Sequence, residues 1–201
     1  MEEVRKAIER YSEAIHAGRG ARAYLERSVC LGRLGEIEPA LADLSEAVRL
    51  EPANAAAWEG RAELEARLGR HREAAADFTE VLRLEPKNVV ALHGRASSLT
   101  LLGEPERAIG DLDEALRIDP RYTAALLARG EAYARAGQHE RALQDYVAYL
   151  AGNPDDAYAH FRRGLSFSRL KRDEDAIAEF SEAIRLDMRL LSAYVERGRA
   201  Y

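Results

Sequence analysis

The chain has 201 residues, a formal net charge of −5, and 47% apolar against 32% charged residues. That size and apolar share suffice for a folded core of one or two domains, and the acidic balance gives no overall field for nucleic acid. No window holds the ~18 uninterrupted apolar residues of a membrane helix, the charged start MEEVRKAIER is no secretory leader, and Cys30 alone excludes internal disulfides and cysteine-held zinc. The expectation is a cytoplasmic chain whose partners include neither membrane nor nucleic acid.

In chain order, residues 1–20 read as one helix bearing Ala7, Tyr11 and Ala14 on a single stripe. The segment 21–54 then reads as a helix pair. Its first helix runs from Ala21 to the turn glycine Gly35, and its second from Glu36 to just before Pro52. The same pair recurs at 55–88, 89–122, 123–156 and 157–190, and a lone first helix follows at 191–201. Three ladders fix that period. Pro52, Pro86, Pro120 and Pro154 stand 34 residues apart. Gly35, Gly69, Gly103 and Gly137 keep the same step, with Lys171 in the fifth place. Ala40, Ala74, Ala108, Ala142 and Ala176 form the third. A fixed period of this length is the mark of a tandem array.

Each turn glycine suits a left-handed helix end, and Pro39 and Pro105 fall in first turns, where a missing N–H costs nothing. Small residues hold the eighth place of every unit: Ser28, Ala62, Ala96, Gly130, Gly164 and Gly198. They let paired helices approach closely.

Trp58, Ala62, Gly69, Ala74, Phe78 and Pro86 in one unit, and Leu126, Gly130, Tyr133, Gly137, Ala142, Tyr146 and Pro154 in another, form a pattern that resembles the tetratricopeptide repeat. The resemblance covers the whole chain. It implies an all-α fold, a right-handed superhelical solenoid of antiparallel helix pairs whose first helices line a concave groove. It implies no chemistry, because one scaffold serves many partners. The two half units, 1–20 and 191–201, lack a polar capping helix, so the chain is expected to be a segment of a longer protein.

Nothing in the residues points to catalysis, a metal or a cofactor. His16, His71, His93, His139 and His160 are scattered, without the spacing of a metal motif. The histidines at the turns read as solvated, and Cys30 as a buried, unreactive thiol. No glycine loop has phosphate-binding spacing.

One charge pattern is strictly periodic. Arg27, Arg61, Arg95, Arg129 and Arg163 hold the seventh place, with Arg197 in the last half unit. Asp43, Asp77, Asp111, Asp145 and Glu179 hold the twenty-third. A ladder of arginine–carboxylate pairs, within or between units, is the expectation; the alternative is an arginine row that binds an acidic ligand.

By the family's geometry, the second, fifth, sixth, ninth, twelfth and thirteenth places face the groove. The binding residues expected there are His93, Ser97 and Leu101, then Leu127, Glu131 and Arg135, then Tyr158, Phe161, Arg162, Leu165 and Arg169. Small residues such as Gly60 and Gly94 leave room for an inserted segment. Glu63 with Arg67, and Glu131 with Arg135, are spaced to pair along one helix, whereas Arg33 and Arg169 are freer to meet a ligand. The family's carboxylate clamp uses the second and sixth places, which here hold Ala56/Gly60, Val90/Gly94, Ala124/Ala128 and Tyr158/Arg162. The clamp is absent, and so is the asparagine ladder that grips an extended backbone.

These readings converge on a non-catalytic module that binds another protein or peptide in the groove. The alternatives are a targeting or regulatory arm of a larger enzyme and a self-assembling scaffold. In the last, the apolar faces around Ala7, Ile8, Tyr11 and Ile15 and around Tyr194, Val195 and Tyr201 would stack copies head to tail.

Overall fold

In a computed structural model, residues 2–18 and 20–201 are described. Met1 and Arg19, which the expected half repeat 1–20 includes, lie outside them. The described residues form twelve helices and no strand, grouped in two compact units, 1–98 and 99–201. The first unit holds α1 (Glu2–His16), α2 (Gly20–Leu34), α3 (Ile37–Leu50), α4 (Ala55–Arg67), α5 (His71–Leu84) and most of α6 (Val89–Leu101). The second holds α7 (Pro105–Ile118), α8 (Thr123–Arg135), α9 (His139–Gly152), α10 (Ala157–Arg169), α11 (Asp173–Leu186) and α12 (Leu191–Ala200).

Each turn between paired helices closes by a left-handed residue. At Gly69, with φ 75°, the Arg70 N–H reaches back to the Glu65 carbonyl at 2.9 Å and satisfies an orphan helix-end acceptor. Lys171 adopts the same conformation, with φ 60°, at the one turn that lacks glycine. Second helices stop at the proline loops, where the Glu85 N–H still bonds the Val81 carbonyl. The following first helices gain side-chain caps where the sequence supplies them. Asn88 Oδ1 accepts from the Ala91 N–H and Asp156 Oδ1 from the Ala159 N–H. Trp58 pins its own loop, donating from Nε1 to the Pro52 carbonyl at 2.9 Å.

The core of the first unit is a chain of small clusters, since every helix pair buries only one stripe. Leu31, Leu41, Leu44 and Leu64 form one cluster, and Ala62, Ala74, Phe78, Val81 and Ala91 form another. In the second unit Tyr133, Ala142 and Tyr146 pack together, with Leu127 against them. Consecutive helices contact each other along each unit, and α8, α10 and α12 also touch in series. That second contact sets first helices side by side, so in the second unit they share one face. Cys30 is half-buried, less enclosed than its apolar neighbours suggest.

Candidate functional site

The arginine places come first, because they fix the helices that carry the expected groove residues. Arg27 clasps Asp43 with two parallel bonds of 2.8 and 2.7 Å, and Arg61 holds Asp77 at 2.6 and 2.8 Å. In the second unit Arg129 binds Asp145 at 2.8 and 2.7 Å, and Arg163 binds Glu179. Each of these pairs joins the two helices of one repeat. Guanidiniums of this series also reach back fifteen or sixteen residues. Arg27 donates to Ser12, Arg61 to Ser45, Arg95 to Thr79, Arg129 to Asp113 and Arg197 to Ser181. One arginine thus links its own hairpin to the helix before it. The acceptor series Ser45, Thr79, Asp113 and Ser181 keeps the 34-residue step. It was visible in the sequence and is missing from the expected ladder.

Of the remaining rung, Arg95 belongs to the first unit and Asp111 to the second. Arg163 finds Val147 where its fellows find a hydroxyl or acid, and its carboxylate is shared: His160 Nδ1 lies 2.8 Å from the other Glu179 oxygen. The second ring nitrogen of His160 faces the Pro154 carbonyl at 3.0 Å. This histidine is buried between two acceptors, unlike a solvated turn residue. Asp145, and then Asp113, raise the Arg129 pKa further above its ordinary range, although burial opposes them.

The expected groove residues divide by unit. His93 and Ser97 lie in the first and Leu101 in the second, with Leu101 half exposed. Leu127 is engaged with Tyr133 and Tyr146 in the core, and the Phe161 ring stands 5.8 Å from that of Phe180. Tyr158 remains open, 47% exposed, with Arg162 over its ring. Glu131 pairs with Arg162 of the next first helix at 3.5 Å; its expected partner Arg135 forms no ion pair among the described residues. The cross-helix partner prevails because Arg162 is held inward, whereas Arg135 is exposed. Burial, with Glu131 beside it, pushes the Tyr158 hydroxyl up to about 12.

Each unit carries a cavity lined mainly by first-helix residues. In the first unit, Leu25, Val29, Leu44, Gly60 and Leu64 line an apolar cavity of about 350 Å³, with Glu26 and Glu63 at its edge. Burial, then Glu59, raises the Glu63 pKa. Leu25, Glu26, Val29, Gly60 and Glu63 hold groove places of repeats 21–54 and 55–88, which the expected site, centred further along the chain, omits. Their signal was the pairing of Val29 with the small residues Ala56 and Gly60. In the second unit a cavity of about 220 Å³ is lined by Arg135, His139, Arg162, Leu165 and Arg169, among others. Among the described residues no group of three or more His, Cys, Asp or Glu is placed to hold a metal ion, and no helix is long and apolar enough to cross a membrane.

A family model described as tetratricopeptide repeat matches residues 31–89, 65–123, 93–152 and 127–189. No curated protein matches the chain. Among solved structures it is similar to YrrB, a TPR protein with an unusual peptide-binding site, at 23% identity over 94% of this chain and 97% of that one, with a TM-score of 0.76. A tetratricopeptide repeat protein from Parabacteroides merdae matches at 18% identity over 100% of this chain and 86% of that one, with a TM-score of 0.80. MamA from Desulfovibrio magneticus matches at 23% identity over 85% and 96%, with a TM-score of 0.77. At these identities the likeness is one of fold.

Proposed function

Because the chain belongs to the tetratricopeptide repeat family, whose members bind other proteins or peptides, we propose that it is a non-catalytic module seating a partner segment on its first helices. The observation that carries this reading is the apolar cavity of about 350 Å³ in the first unit. It offers a partner's aliphatic or aromatic side chain an apolar seat, and Val29, 48% exposed in its lining, gains from being covered. Tyr158 provides a second anchor with a polar tip, the side-chain type that dominates binding hot spots. The peptide-binding site of YrrB, on the same fold, adds support by analogy only.

Selection of random peptides on the intact chain tests the reading. Selected peptides should lose about thirtyfold in affinity when Tyr158→Ala or Val29→Glu is introduced, the equivalent of a hot-spot loss of about 2 kcal/mol. Phe161→Ala is a poorer probe, since that ring also packs on Phe180. Peptides indifferent to both substitutions would place binding elsewhere.

A second reading, head-to-tail self-assembly, is favoured by Leu191, Tyr194 and Val195, which α12 leaves exposed. A second copy would cover them with its α1, which buries no side chain fully. Sedimentation over a concentration series should then show association that Tyr11→Glu abolishes; a monomer at every concentration ends this reading.

A further inference from the structure

We propose that the cavity of the second unit is a carboxylate site, holding the side chain of an acidic residue in the partner segment. The inference rests on the groove reading and adds the chemistry of what one part of the groove accepts. Arg135 from α8 and Arg162 and Arg169 from α10 converge on this cavity, and His139 closes it at the start of α9. Against three guanidiniums stands one neighbouring carboxylate, Glu131, paired with Arg162 at 3.5 Å; the exposed Glu140 only flanks His139. Arg135 and Arg169 form no ion pair among the described residues. The site therefore keeps a surplus of positive charge.

One buried polar atom at the cavity lacks a hydrogen-bond partner among the described residues, His139 Nδ1; Arg162 Nε already faces Glu131 at 3.5 Å. A buried polar atom left unmet is costly; in the protonated ring His139 donates from Nδ1, and a carboxylate accepts from it and from the arginines at once. Leu165 gives the remaining wall an apolar stretch against which the methylenes of a glutamate can lie. About 220 Å³ leaves room for one side chain. The family's clamp lies at the second and sixth places; Arg162 shares a sixth place with it, and Arg135 and Arg169 do not. Here the thirteenth places supply two of the three cations.

The site has a reporter of its own. Burial, then Arg169, holds the His139 imidazole below its ordinary pKa, whereas Glu140 opposes them. An anion seated between His139 and Arg169 offsets the arginine and raises that pKa. A merely structural pocket gives no such response.

The test titrates the full chain with acetyl-Ala-Glu-Ala-amide while the His139 ring is followed by NMR across pH. The expected result is a His139 pKa that rises with peptide, shifts confined to the neighbourhood of Leu165 and Ser166, and binding about tenfold weaker in Arg169→Gln. An equal response to acetyl-Ala-Gln-Ala-amide, or no change in Arg169→Gln and Arg135→Gln, overturns the site. Stronger binding of acetyl-Ala-Ala-Ala with a free C-terminus overturns the side-chain assignment. The groove reading fails or stands separately. Selected peptides that depend on Val29 and Tyr158 but tolerate Arg169→Gln and loss of their own acids would overturn only the carboxylate site.

Discussion

Gly94 of α6 lies against the ring of Phe78 in α5: a Cβ built at Gly94 would stand 2.7 Å from both Cε1 and Cε2. No side chain fits there while the ring keeps its place. The sixth place of a repeat is therefore small for a packing reason, because the large residue at the twenty-fourth place of the repeat before ends beneath it. Leu44 stands in the same relation to Gly60, at 3.2 Å. At the next level but one the large residue is Tyr146, and the sixth place holds Arg162, whose charge lies beside the buried phenol.

Gly94→Ala should consequently lower stability by about 1–2 kcal/mol, overpacking outweighing the helix preference for alanine. Gly110→Ala is the matched control. A Cβ at Gly110 in α7 meets nothing within 4 Å, so alanine there should raise stability by about 0.5–1 kcal/mol. Urea melts of the two variants check the pair. Equal effects would mean that the Phe78 ring yields without cost.

The Arg61–Asp77 pair is nearly enclosed, with side-chain exposures of 20% and 9%. Removing Arg61 alone leaves Asp77 buried without its fork, which should cost about 3 kcal/mol. Removing both should cost less than the two single losses together, with a coupling of about 2 kcal/mol. A double-mutant cycle with Arg61→Ala and Asp77→Ala measures it. Additive losses would show that the pair orients the helices without stabilising them.

How far the residues alone revealed this molecule depends on what periodicity can encode. Helix starts at Ala55, Val89, Thr123 and Ala157 follow from ladders that repeat every 34 residues, because turn chemistry is local. The Lys171 turn was legible only by its place in the glycine series, since lysine has no preference for φ 60°. Pairing was less legible. Glu131 has Arg135 one turn along its own helix and Arg162 across to the next, and sequence spacing ranks the local partner first. Burial of Arg162 decides otherwise. The apolar cavity around Val29 and Gly60 was hidden for a similar reason: it arises where a small residue on one helix faces a large one on another.

Arg163 lacks the backward contact that its counterparts make, because Val147 occupies the place held by Ser45, Thr79 and Asp113. Val147 is 55% exposed, so little apolar burial is lost by replacing it. Val147→Ser should restore a hydroxyl acceptor for Arg163 and raise stability by about 0.5–1 kcal/mol. Thermal or urea unfolding reads the change, and Val147→Ala separates the gain of the hydroxyl from the loss of the valine. No gain over alanine would mean that the added hydroxyl does not bond Arg163.

Protection from hydrogen exchange should follow burial along the chain. In a repeat array each helix is held by its immediate neighbours, so local opening is governed by the contacts of one or two helices. α1 buries no side chain fully, and α12 buries only Ala193. By contrast α3 buries Ala40, Leu41, Asp43, Leu44, Ala47 and Val48, and α9 buries Ala142, Leu143, Asp145, Tyr146 and Leu150. Opening α1 or α12 therefore exposes little apolar surface and leaves most arginine clasps intact, whereas opening α3 or α9 breaks a bidentate pair and a core cluster together. Amides of α1 and α12 should exchange fastest, and those of α3 and α9 only with global unfolding. Equal protection of α1 and α3 would show that the array opens as one cooperative body, with its end helices held by contacts beyond the stripe they bury.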